Sequence, residues 1–293
     1  MILAPRNVTR AGNIRRAAVS RRHALAMTLG LGAAFVSKRA ASQSVDVRGR
    51  GYDPLWRTAD ETIEAFLGPG PYAREGIGIV TPDFVDNGSA VPLTIRLASA
   101  MTADDHPRVV HVLAHSNPNP QVVSVWMTPA MGRAAFSTRI RLEKSQRITA
   151  VAQMSDGRLL RADEDVEVNV GACADDSSGA PQDIASFRPQ SRVSAPQNAK
   201  RGDVVTVRAI ISHPMETGLR LDEFDNWVRQ RIVSRFACRF NGEPLFRARL
   251  YPAVSANPFF EFHARAQDSG VFEFEWYDTQ DMTYTNRAAM TVS

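Results

Sequence analysis

Most of this sequence is written in short runs that alternate apolar and polar residues, and nothing constrains its fold more. Val91-Pro92-Leu93-Thr94-Ile95-Arg96-Leu97 is the cleanest case. Val109 to Leu113, Val122 to Met127, Phe136 to Leu142 and Ile148 to Met154 follow it in close succession. A period of two sends alternate side chains to opposite faces, so each run reads as a strand with one buried face. The gaps carry turn formers: Asp86-Asn87-Gly88, Asn117-Pro118-Asn119-Pro120 and Asp156-Gly157. No helical periodicity falls between these runs, which excludes a parallel α/β sheet and predicts a β-sandwich.

The pattern occurs twice. Thr58 is placed to cap a short helix through Leu67, with acids in its first turn and Gly68 behind its last residue. The strands after it form a first unit over residues 45–173. Residues 174–190 are small, acidic or turn-forming and read as a linker or arm. A second unit over 191–293 contains Val204 to Ile211, Phe236 to Phe240, an Asn241-Gly242 turn into Leu245 to Leu250, then Phe259 to Ala264, Val271 to Tyr277 and Tyr284 to Val292. The expected fold is all-β: two immunoglobulin-like β-sandwich domains joined by a flexible linker, with a short helix at the start of the first.

The segment 1–41 holds eight Lys or Arg and no acid. Arg21-Arg22 followed by the apolar run Ala26 to Val36, with small residues at Ala40-Ala41-Ser42, has the form of a twin-arginine export signal. The run is too short to span a bilayer, so no membrane anchor is expected once it is removed. Without it the net charge turns from +4 to −4, which argues against nucleic acid as a partner. The expected compartment is the bacterial periplasm.

Two cysteines are too few for a disulfide framework. Cys173 closes the strand Val166 to Val170 and lies among Gly171, Ala172 and Ala174, small neighbours that leave a thiol open and its chain pliable. Cys238, between Phe236 and Phe240 on an apolar strand face, reads as core. His111 and His115 share a strand face roughly 13 Å apart, too far for one metal ion, so neither metal nor cofactor is expected. No nucleophile-elbow pattern supports hydrolysis, and no enzymatic activity is expected.

These motifs resemble a known pair. Asp86-Asn87-Gly88-Ser89-Ala90-Val91-Pro92, the Asn117 turn, Phe136 to Arg141 and Val170-Gly171-Ala172-Cys173 resemble SoxY, the sulfur-carrier subunit of periplasmic thiosulfate oxidation. Ile211-Ser212-His213-Pro214-Met215-Glu216-Thr217-Gly218, Phe240 to Glu243, Ala256-Asn257-Pro258 and Ser269 to Phe274 resemble its partner SoxZ. The whole is similar to SoxY–SoxZ fusions associated with quinoprotein (PQQ) dehydrogenases.

The resemblance implies a non-enzymatic carrier that holds a sulfur-type intermediate on Cys173 and presents it to periplasmic redox or sulfur-handling enzymes. A quinoprotein dehydrogenase or a cytochrome is a candidate partner, and the two domains are expected to contact one another. The alternative is an accessory protein of a PQQ-dependent alcohol dehydrogenase system with no covalent cargo. The family's glycine-flanked cysteine reads Gly171-Ala172-Cys173-Ala174-Asp175 here, and Asp175 and Asp176 should raise the thiol's pKa by like charge.

Overall fold

The computed structural model describes residues 57–169 and 187–293. The leader and the cysteine arm, including Gly171, Ala172, Cys173 and Ala174, lie outside the described residues. Helix α1 (Ala59–Leu67) forms as its ends dictate. The Glu61 amide donates to the Thr58 hydroxyl at 3.2 Å, and the Glu61 carboxylate accepts from the Thr58 amide at 2.7 Å. Its buried Ala59 and Ile63 pack on Leu113 and Val151, and Phe66 stacks on His111 at 4.3 Å.

The first half supplies nine strands: Tyr72–Ala73 (β1), Ile77–Val80 (β2), Phe84–Val85 (β3), Val91–Leu97 (β4), Pro107–Ala114 (β5), Gln121–Met127 (β6), Ala135–Ile140 (β7), Gln146–Met154 (β8) and Leu159–Val168 (β9). The second supplies Ser191–Ser194 (β10), Asn198–Ala199 (β11), Val204–Ile211 (β12), Val233–Phe240 (β13), Glu243–Leu250 (β14), Phe259–Arg265 (β15), Gly270–Asp278 (β16) and Thr283–Val292 (β17). Asn241 and Gly242 take positive φ, 52° and 84°, in the tight turn between β13 and β14, which an Asn-Gly pair tolerates best.

The strands form two sheets, and both run through the two halves. One follows the order β1-β9-β8-β5-β6-β14-β13-β16-β17-β11, with β3 also on β9; the other is β10-β12-β15-β7-β4-β2. The halves therefore meet twice by strand pairing. β6 and β14 are antiparallel from Phe246 opposite Met127 to Leu250 opposite Val123. β7 meets β15 at Ser137 and Glu261, supported by the Thr138 hydroxyl donating to the Phe259 carbonyl at 2.8 Å.

Between the sheets lies one hydrophobic cluster drawn from both halves. Phe246 sits at its centre, stacked on Phe262 at 4.5 Å and within 6.1 Å of Phe136. Each half is a sandwich, as expected. The peptide linking them is one connection among several.

Several strand limits differ from expectation, two of them for a visible reason. β9 begins at Leu159 rather than near Val166, because Arg161 and Asp163 pair with each other at 3.1 Å and Arg147 pairs with Asp165 at 3.0 Å. Polar side chains satisfied in this way hide a strand from a periodicity argument. β7 stops at Ile140 because the Arg141 amide turns to the Ala253 carbonyl at 2.7 Å.

Candidate functional site

In the sequence the cysteine follows the end of β9, and that end is clamped on both sides. On one side β3 runs parallel to it, with Glu167 N–H donating to the Asp83 carbonyl at 2.8 Å and Asn169 N–H to the Val85 carbonyl at 3.0 Å. On the other, Ser145 Oγ accepts from Val168 N–H at 2.9 Å and donates back to the Val168 carbonyl at 3.3 Å. The Val168 side chain is buried against Gly88. A Cβ on Gly88 would fall 2.0 Å from the Leu142 carbonyl oxygen and 3.0 Å from Val168 Cγ1, so only glycine lets these segments approach so closely.

A buried amide network supports the clamp. Asn117 Nδ2 donates to the Arg141 carbonyl at 2.8 Å. Its Oδ1 accepts from Glu143 N–H at 3.2 Å and Gln146 Nε2 at 2.8 Å, and Gln146 Oε1 accepts from Ser116 N–H at 2.7 Å. Burial pushes the neighbouring Glu143 carboxyl upward.

Arg141 reaches from this network into the second half, donating to the Met215 and Pro214 carbonyls at 3.2 and 3.3 Å. That loop is held in turn by Asn257, whose Oδ1 accepts from His213 N–H at 3.0 Å and whose N–H donates to the His213 carbonyl at 2.8 Å. The chain re-enters the described structure here: the Phe187 ring meets His213 edge-on at 6.4 Å. His213 Nδ1 accepts from Met215 N–H at 3.1 Å, which places the proton of the neutral ring on Nε2. The ring is fully buried, Nε2 has no partner among the described residues, and burial lowers its pKa to about 4.

Exit and return of the arm are thus linked by one chain of contacts: Val168, Gly88, Leu142, Arg141, Pro214, His213 and Phe187. Five of the motifs that carried the resemblance, those around Gly88, Asn117, Arg141, His213 and Asn257, converge on it; Phe240 to Glu243 and Ser269 to Phe274 meet each other instead, through Asn241. Sequence reasoning quoted Asn117, Arg141, His213 and Asn257 but assigned them no role. Ser145 it did not single out, since a lone serine between Lys144 and Gln146 carries no pattern.

The reading of Cys238 as core holds. Cys238 is a free, fully buried thiol, and burial pushes its pKa up. His111 and His115 are each spent on a neighbouring hydroxyl, Ser124 and Thr149, both at 2.8 Å. Among the described residues no group of three metal-ligating side chains occurs, and no helix is long and apolar enough to cross a membrane.

Residues 63–173 match the sulfur oxidation protein SoxY, a match that ends on Cys173, and residues 193–289 match the sulphur oxidation protein SoxZ. The chain is a SoxY domain followed by a SoxZ domain. This makes it a carrier protein of sulfur oxidation, of a kind that works with sulfur-oxidation enzymes and is not an enzyme by itself.

Among solved structures, the sulfur carrier protein SoxY from Chlorobium limicola f thiosulfatophilum is 28% identical, with 37% of this chain and 94% of that one covered at a TM-score of 0.32. Superoxide reductase (neelaredoxin) from Ignicoccus hospitalis is 18% identical over 35% of this chain and 80% of its own, at a TM-score of 0.27. No curated sequence matches. In SoxYZ terms, the clamp on β9 belongs to the SoxY domain, and the loop that Arg141 reaches belongs to SoxZ.

Proposed function

We propose that this protein is a periplasmic carrier that holds a sulfur group covalently on Cys173 and presents it to partner enzymes, with the twin arginines directing its export. The observation that carries the reading is the SoxY–SoxZ tandem whose SoxY match closes on Cys173. The clamped end of β9 supports it: the strand from which the chain continues to Cys173 is fixed by β3, Ser145 and Gly88. The domains take the limits 45–173 and 191–293, with 174–190 as the arm.

Protein purified from its own periplasm should begin near residue 42 and carry an adduct that reductant removes. The Cys173→Ser variant should lack that adduct and fail to support thiosulfate oxidation. Full pathway activity in Cys173→Ser would overturn the covalent role. It would leave the accessory reading, in which a PQQ-dependent dehydrogenase is the partner. Asp175→Asn with Asp176→Asn should speed alkylation of Cys173 near neutral pH by lowering its pKa.

A further inference from the structure

Helix α1 covers the outward face of the long sheet over β5, where Phe66 lies on His111 and Ile63 on Leu113. Beyond the seam, β14 and β13 present Arg247, Arg249 and Arg235 outward. Arg247 is exposed, while Arg235 and Arg249 are half-buried. Their positions follow from register: Arg247 lies opposite Trp126, and Arg249 lies opposite both Ser124 and Arg235.

Two arginines facing each other across antiparallel strands repel. Nearby carboxylates do not relieve them. Glu275 is taken by Arg239 at 3.1 Å and by the Tyr277 hydroxyl at 2.8 Å, and Glu273 is taken by Arg287 at 2.9 Å. Among the described residues, Arg235, Arg247 and Arg249 have no carboxylate within ion-pair distance.

Aromatic rings hold them instead. The guanidinium of Arg235 lies 4.4 Å from the Tyr277 ring centre, that of Arg249 5.4 Å from Tyr251 and that of Arg247 5.7 Å from Trp126. Such stacking orients the guanidinium without consuming its N–H donors. Side chains ordered in advance lose less entropy on binding. At the seam, Arg108 lines a shallow cleft with Trp126 and Arg247 and extends the basic stripe. The chain after residue 41 carries net charge −4, so this concentration of cations is local.

We propose that this arginine face, centred on Arg235, Arg247 and Arg249, docks an acidic surface of a partner protein. Charge complementarity names the partner's chemistry, and the shape of the face names its size. Small anions are held in concave sites; the shallow cleft takes in only Arg247 of the three, and Arg235 and Arg249 lie on the open sheet beyond it, an arrangement that suits another protein's surface. The inference goes beyond the carrier reading and does not depend on Cys173.

The test uses the full chain and a fluorescent oligo-glutamate peptide as probe. Wild type should bind it in a manner that weakens as sodium chloride is raised. Arg235→Gln/Arg247→Gln/Arg249→Gln should weaken binding about tenfold, the combined strength of three exposed ion pairs. Arg96→Gln/Arg192→Gln/Arg229→Gln removes the same charge elsewhere and should leave binding within about twofold of wild type. The face variant should melt within a few degrees of wild type, because the repulsion removed offsets the ring stacking lost. If it fails to fold, Arg247→Gln alone, at an exposed site, still reports the loss. Undiminished binding in the face variants, or equal loss in the control, overturns the proposal. So does displacement of the peptide by sodium sulfate where sodium chloride of equal ionic strength has no effect, since that marks a small-oxyanion site.

Discussion

Phe246→Ala tests whether the two halves share one core. Phe246 is fully buried on the SoxZ side of the seam, with Phe262 stacked on it at 4.5 Å, Phe260 at 5.4 Å, Phe236 at 6.0 Å and Phe136 of the SoxY domain at 6.1 Å. Removing a buried phenylalanine costs about 3–5 kcal/mol, the higher figures applying where the walls cannot collapse. Here the walls are rings on strands of both sheets, each fixed by its own ladder, so the upper half of that range applies. At roughly 2–4 °C per kcal/mol for a body of this size, the melting temperature should fall by about 8–20 °C.

Calorimetry of the full chain reads both the size and the shape of the transition. A shared core predicts a single transition that moves as a whole. A fall below about 4 °C, or a split in which one peak moves and the other stays, would refute the reasoning. Phe66→Ala, at a ring 36% exposed on α1, serves as the mild comparison.

Three further outcomes follow. With a site-specific protease sequence placed between Ser178 and Gly179, the cut protein should elute as one species in native buffer, because β6–β14 and β7–β15 still join the fragments; separation without denaturant would refute this. Stability should fall as pH drops from about 6.5 toward 4: burial depresses His111 and His213 to about 4 in the folded chain, so over that window the unfolded chain binds more protons. His111→Leu should flatten the slope, and an unchanged slope in melts across that range counts against the assignment. Cys238 should resist alkylating reagents until the protein unfolds, with mass spectrometry of labelled peptides as the check.

What could be read from the sequence divides along physical lines. Strands with one wet face, such as β4 and β12, announce themselves by alternation, and the cap of α1 is written in Thr58, Glu61 and Gly68. β1, β3 and β11 are two residues long and are held by pairing alone, which leaves no period to detect. The seam was illegible for a related reason. Phe246 and Val125 read as core of their own domains, and alternation says which face is buried without saying which strand lies alongside. At the candidate site, the cysteine and its small neighbours could be picked out by composition. The clamp could not, since the Ser145 hydroxyl and the Arg141 guanidinium bond backbone groups of distant residues, and Gly88 acts by lacking a side chain, so only the fold selects their partners.

The pairing of β6 with β14 also bears on how the protein is made. As two polypeptides, each half would leave the ribosome with a bare sheet margin, β6 on one and β14 on the other, free to pair with any similar margin it met. Written as one gene product, the second margin is tethered to the first from the moment it emerges, so equal dosage is automatic and no orphan subunit arises. The cell then has no excess half to degrade, and no partner exchange can mix this SoxZ domain with another SoxY.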